Sequence, residues 1–144
     1  IRKYEVEDTA VVNFVFKSGA LGTLSVSDTI VSPWSYELTA GENPAYPITN
    51  QSAYYIGGTK SSIQFPNYKE WYNKKERSWW KPILHKDEST RESRHTLTNQ
   101  INHLCDVVNN KTKPKITGED GLVSLKIFAA IIKSAKTGKK VKIK

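Results

Sequence analysis

The apolar residues Leu97, Ile101, Leu104 and Val108 recur at spacings of four, three and four, so on a helix they share one face while Asn99, Asn102 and Asp106 point away. The pattern predicts an amphipathic helix with its stripe against a core. The run Asn109-Asn110-Lys111-Thr112-Lys113-Pro114 combines turn formers with a proline that disfavours helical backbone at the residue before it, so the helix ends there. Thr117 followed three residues later by Asp120 reads as a variant capping box, which starts a second helix near Gly118. Along that helix Leu125, Ile127, Phe128, Ile131, Ile132 and Ala135 cover a wide arc, and Lys126, Lys133 and Lys136 form a polar stripe. The arc predicts deeper burial than in the first helix. Gly138 is placed for a left-handed cap, and Val141 and Ile143 then alternate with Lys140, Lys142 and Lys144 as a short edge strand protected by lysines.

The front of the chain has the period of strands. Residues 10–16 and 21–27 flank Lys17-Ser18-Gly19-Ala20 and predict a β-hairpin. With Ser18-Gly19 as a two-residue loop, Val12 faces Ser25 and Val11 faces Val26, and neither side of the hairpin is cleanly polar. Both faces are therefore expected to be covered, one by the C-terminal helices and the other by a second subunit or domain. Residues 36–40, 54–56, 62–65 and 69–72 read as further strands, with Gly57-Gly58-Thr59-Lys60 as a turn. Strands followed by two helices give an α+β class, a mostly antiparallel open sheet with the C-terminal helices packed on one face. Long connections lie at 28–35 and 41–53, where binding residues concentrate on a rigid scaffold. The stretch 73–94, around Trp79-Trp80-Lys81-Pro82, reads as an irregular charged insertion, a surface arm or a flap.

Composition narrows the class. At 144 residues, 38% hydrophobic and 25% charged, the chain is expected to form one soluble domain, 1–144. No apolar run approaches the roughly 20 residues needed to span a bilayer. The single cysteine, Cys105, excludes an internal disulfide and fits a reducing compartment, so a cytoplasmic location is expected. In that setting the sequons at Asn50 and Asn110 are chance matches. The absence of methionine, with Ile1 leading directly into a strand-like Arg2-Lys3-Tyr4-Glu5-Val6, is that of a piece of a longer polypeptide.

Glu7-Asp8-Thr9-Ala10, the hairpin from Phe16 through Gly19 and Gly22 to Ser25, the stretch from Ser32-Pro33-Trp34 to Tyr46, and the ending from Gly118-Glu119-Asp120-Gly121-Leu122 to Gly138-Lys139-Lys140-Val141 together resemble the C-terminal domain of the glucose-fructose oxidoreductase, inositol dehydrogenase and MocA family. The resemblance spans nearly the whole chain apart from 73–94. It implies a longer dehydrogenase whose N-terminal Rossmann domain, absent here, binds NAD or NADP. It further implies that residues 1–144 help bind a sugar or polyol and form a homo-oligomer through the sheet face.

The family's reactive groups have no counterpart in this chain. It has no G-x-G-x-x-G, and Gly118-Glu119-Asp120-Gly121 places two acids where phosphates would sit. Lys81-Pro82 follows Trp80 and not the glutamate of the family's Glu-Lys-Pro motif. Asn99 and His103 have the spacing of its Asp-x-x-x-His motif but begin with an amide on a different helix. His85 and His95 lie in the charged stretch, and no two histidines share metal-ligand spacing. Catalytic, cofactor and metal residues are thus expected to be none. Candidate substrate-facing groups are Asp28, Ser32, Trp34, Glu42, Asn43 and Tyr46, because polar groups beside an aromatic face suit a polyol.

Two other classes compete. Lys+Arg exceed Asp+Glu by 22 to 14, a net charge of +8, which would suit a nucleic-acid-binding module. The cations are scattered and form no recognition pattern, which disfavours it. Four tryptophans and seven tyrosines could serve as platforms of a carbohydrate-binding module, against which the two terminal helices argue.

Overall fold

The computed structural model describes residues 3–87 and 95–143. Its elements are β1 (Thr9–Val15), β2 (Leu21–Ser27), α1 (Tyr36–Ala40), β3 (Tyr54–Gly57), β4 (Ser61–Phe65), β5 (Lys69–Tyr72), β6 (Leu84–Asp87), α2 (Thr96–Val108) and α3 (Gly118–Thr137). Antiparallel sheets of two and four strands followed by two helices make this an α+β arrangement. The chain gathers into two compact units, one of Ile1–Ile30 with Gln100–Lys144 and one of Val31–Asn99.

In the first unit the hairpin differs from expectation by one residue of register. Val12 pairs with Leu24 and Val11 with Ser25, because the loop has three residues, Lys17-Ser18-Gly19. Gly19, at φ 88, donates its N–H to the Phe16 carbonyl, and the Phe16 N–H donates to Ala20 across the loop. This is the turn-plus-left-handed-residue closure that favours glycine. A slip of one residue reassigns a strand to the opposite face. Ala10, Val12, Phe14, Leu24 and Val26 now share one apolar side. The other side carries Thr9, Asn13, Thr23, Ser25 and Ser27, along with Val11, Val15 and Leu21. Val11, Val15 and Leu21 keep that side from being cleanly polar, as expected. Its hydroxyls interlace near the strand ends, with Thr9 Oγ1 2.8 Å from Ser27 Oγ and Ser27 Oγ 2.9 Å from Thr29 Oγ1.

Helix α2 ends as its sequence dictates. Asn110 adopts φ 57, its N–H donates to Val107, and the Lys111 N–H reaches back to Asp106 at 2.9 Å. That pair of bonds is a Schellman closure with asparagine in the left-handed position. The stripe Leu97, Ile101, Leu104 and Val108 is exposed and does not face a core, contrary to expectation. On α3 Ile127, Ile131 and Ile132 are half-buried, whereas Leu125 and Phe128 are exposed. Among the described residues no apolar side chain is fully buried. Residues 140–143 form no strand, again unlike the expectation, because alternation alone makes no strand without a ladder partner.

The start of α3 matches its sequence signature. Thr117 Oγ1 accepts from the Asp120 N–H at 3.3 Å, and Asp120 Oδ2 accepts from the Thr117 N–H at 2.8 Å. Gly138 closes the helix at φ 66, donating to Ser134. The Thr117 backbone N–H, and then its hydroxyl, hold the Asp120 carboxyl below its usual range. Glu119 is lowered likewise, by its own backbone N–H and then by Thr117. Depressed carboxyl values mean stabilisation that is present above about pH 4 and lost as pH falls through the lowered folded-state values. Urea unfolding of the chain at about pH 7 and about pH 3 should show this acid loss, and Asp120→Asn should flatten it. Thr117→Ala should cost about 1 kcal/mol at neutral pH.

The second unit holds the sheet in order β3-β4-β5-β6. Residues 36–40, expected as a strand, form helix α1. Ser35 caps it, accepting from the Leu38 N–H, and Gly41 ends it at φ 66. Strand β6 lies inside the stretch expected to be irregular. Its alternate residues meet β5 across the ladder: His85 lies 5.1 Å from the Trp71 ring, and Asp87 lies 3.9 Å from Lys69. Lys69 also sits 4.9 Å over the Trp71 indole. Such cross-strand pairs stabilise a sheet where propensity alone is weak.

Candidate functional site

Five of the six expected substrate-facing residues fall in the second unit, on or beside α1, while Asp28 is in the first unit at the end of the hairpin. The Asp28 N–H donates to the Asp8 carbonyl, closing the strands. Asp28 is exposed.

The loop around α1 is tied down by local bonds. Thr49 Oγ1 donates to the Pro33 carbonyl at 2.7 Å, and the Thr49 N–H donates to the Leu38 carbonyl at 2.9 Å. Thr49 thereby ties the far part of the loop both to α1 and to the segment that leads into it. Thr39 is fully buried, and its hydroxyl donates to the Tyr36 carbonyl. Gly41 is favoured by its left-handed φ, and a Cβ there would in addition stand 2.9 Å from Ile48 Cδ1, which would have to shift.

This framework sorts the candidates. Ser32 Oγ accepts from the Trp34 N–H at 3.2 Å, and Asn43 Oδ1 accepts from the Ala45 N–H at 3.0 Å. Both side chains thus shape turns. The Asn43 carbonyl also accepts from the Tyr46 N–H. Trp34 and Tyr46 are exposed, with about half of each side chain open, so their rings offer contact area. Glu42 is half-buried, and its Oε1 accepts the Tyr36 hydroxyl at 2.9 Å.

Tyr36 is a residue that sequence reasoning missed. Its ring stacks on Phe65 at 6.0 Å and 13° between planes, and tilts against Tyr54 at 6.0 Å. Tyr54 and Phe65 are direct partners across β3 and β4, and Tyr68 meets Phe65 edge-on at 5.0 Å. Phe65 and Tyr54 thus hold the ring that carries the Tyr36 hydroxyl. The signal for this was present in the chain: a serine before Tyr36 and a glycine after Ala40 bracket a short helix, and Gly41 turns Glu42 back toward its start.

The other motifs take local roles. His103 Nε2 accepts the Lys115 N–H at 3.2 Å, so that imidazole holds the loop after α2. His85 packs on Trp71. Trp79 and Trp80 are almost wholly exposed, at 92% and 93%. Among the described residues no cluster of three His, Cys, Asp or Glu could hold a metal, and no helix is long and apolar enough to cross a membrane. The amides at the start of α3 already serve the Asp120 carboxylate and the Thr117 hydroxyl, so that terminus is unsuited to a pyrophosphate.

What the second unit offers chemically is a positioned acceptor. An ionised carboxylate only accepts hydrogen bonds, and Glu42 takes one from the Tyr36 hydroxyl. Comparison with curated proteins and with solved structures returned no match. Residues 1–143 match the model of the C-terminal alpha/beta domain of the oxidoreductase family of glucose-fructose oxidoreductase, inositol dehydrogenase and MocA, and the chain belongs to that family.

Proposed function

We propose that this chain is the substrate-binding domain of an NAD- or NADP-dependent dehydrogenase that acts on a hydroxyl of a sugar or polyol. Family membership over residues 1–143 supports the oxidoreductase class, and the single observation that carries the substrate role is Glu42, a half-buried carboxylate that accepts the Tyr36 hydroxyl, with the exposed Tyr46 later in the same loop and the exposed Trp34 in the segment before α1. Carboxylates that accept hydroxyl hydrogen bonds beside aromatic faces are the usual chemistry of polyol recognition.

The residues of this chain do not fit the cofactor. No glycine-rich phosphate loop occurs in the sequence, and the start of α3 is capped by its own acid. In this reading NAD or NADP belongs to an N-terminal Rossmann domain, which also carries the catalytic groups, and this domain orients the sugar. Assembly into a homo-oligomer through a sheet face belongs to the same proposal. The exposed Val11, Val15 and Leu21, which share one side of the hairpin, support it, because exposed apolar residues on a sheet face seek cover.

The test is a steady-state assay of the full-length protein with myo-inositol or D-glucose as reductant and NAD or NADP as acceptor, following nicotinamide absorbance. Sugar-dependent reduction of either nucleotide is the expected result. Absence of reduction with every pairing would overturn the substrate class.

A further inference from the structure

We propose that the loop between β5 and β6 docks on the surface of a lipid bilayer with anionic headgroups, Trp79 and Trp80 entering the interface while Lys74, Lys75, Arg77 and Lys81 meet the headgroups. Tyr72 and Leu84 are ladder partners, so residues 73–83 leave and re-enter the sheet side by side as a closed loop. Trp79 and Trp80 form a turn in it, where Ser78 Oγ accepts the Trp80 N–H at 3.2 Å. Both indoles are more than nine-tenths exposed, and Ile83 beside them is 59% exposed. Side chains of this size held in water add no burial to the fold, and their clustering marks an interaction surface.

Charge decides what the loop meets. Residues 73–83 hold four cations against the single acid Glu76, and all four cations are exposed. Among the described residues no ion pair joins any of them to an acid. A layer of anionic headgroups complements that sign, each lysine or arginine near such a surface adding to the attraction. Tryptophan settles at headgroup depth, because its ring is apolar and its indole N–H is polar. A ring open on nearly all sides has no walls to enclose a small ligand, whereas a fluid interface closes around it. Single-stranded nucleic acid also combines cations with stacked aromatics, but along a groove that tracks its backbone, and these rings stand on a turn.

Sedimentation of the full-length protein with vesicles tests the assignment, comparing phosphatidylcholine alone with equal parts of phosphatidylcholine and phosphatidylglycerol. At low salt the protein should pellet with the anionic vesicles and not with the neutral ones, with a blue shift of tryptophan emission. Raising salt to about 0.5 M should release most of it. The Trp79→Ala/Trp80→Ala variant should partition at least about tenfold more weakly, and Lys74→Gln about fivefold more weakly. Thermal midpoints of both should be nearly unchanged, because these side chains stand in solvent. No pelleting of the wild type with anionic vesicles, equal pelleting with both vesicle types, or pelleting that the double alanine variant leaves unchanged would overturn the proposal. Tight binding of labelled oligodeoxythymidine without vesicle binding would overturn it in favour of nucleic acid. A smaller assembly of the double alanine variant in sedimentation velocity, again without vesicle binding, would overturn it in favour of a second copy of the chain.

Discussion

Replacing Gly41 with valine is expected to destabilise the second unit by about 2–3 kcal/mol and to dismantle the loop that holds Glu42. The residue stands at φ 66, where a β-branched side chain is strongly disfavoured. Any Cβ there would also stand 2.9 Å from Ile48 Cδ1 and 3.2 Å from its Cγ1. Ile48 is about half exposed and can swing aside in part, so the backbone strain is the larger share. The loss should propagate to Thr49, whose bonds to Pro33 and Leu38 close the same loop. Hydrogen exchange of the Thr49 and Thr39 amides in the full-length protein would report it locally, and urea unfolding would report it globally. The expected order of loss is valine, then alanine, then asparagine, since asparagine tolerates the left-handed region best of the three. Equal stability of the valine variant and the wild type would show that α1 is not closed by this residue.

The same glycine shows how much of the architecture could be read in the chain and where reading failed. Helix α3 was legible end to end, because Thr117, Asp120 and Gly138 form caps whose chemistry is local. Helix α1 reads as a strand from its sequence alone. Tyr36 to Ala40 is too short to show a helical period, and its true signature lay outside it, in Ser35 and Gly41. The hairpin is evident in the sequence but its register is not, since Lys17-Ser18-Gly19-Ala20 fits both a two-residue and a three-residue loop. Strand β6 was missed because Leu84-His85-Lys86-Asp87 has little strand propensity, and its place comes from Trp71 and Lys69 on the neighbouring strand. The closing Val141 and Ile143 erred in the opposite direction, alternating as a strand does without forming one.

Candidate site residues divided along a similar line. Glu42, Trp34 and Tyr46 could be picked by residue type in a long loop, but type alone could not show that Ser32 and Asn43 spend their side chains on turns. Nor could it reveal Tyr36, whose role depends on Phe65 and Tyr54 meeting it from strands far along the chain. What the structure adds to a list of polar loop residues is an order of dependence. The sheet fixes the rings, the rings fix a hydroxyl, and the hydroxyl fixes the acid.

That order makes the second large prediction the decisive one. If this domain orients substrate and the chemistry resides upstream, removing the Glu42 carboxylate must weaken sugar binding without slowing the chemical step of bound substrate. Losing a hydrogen bond to a charged group corresponds to about 1.5–3 kcal/mol, or roughly ten- to hundredfold in KM. The affinity for nicotinamide nucleotide should stay unchanged if, as proposed, the nucleotide is held by the Rossmann domain. The measurement is the steady-state kinetics of full-length Glu42→Ala against wild type, varying sugar and nucleotide separately. A KM for sugar raised about tenfold or more, with kcat within about twofold and the nucleotide KM unmoved, is the predicted result. A kcat lowered a thousandfold with the sugar KM unchanged would contradict it, and would place a reacting group in the loop that follows α1.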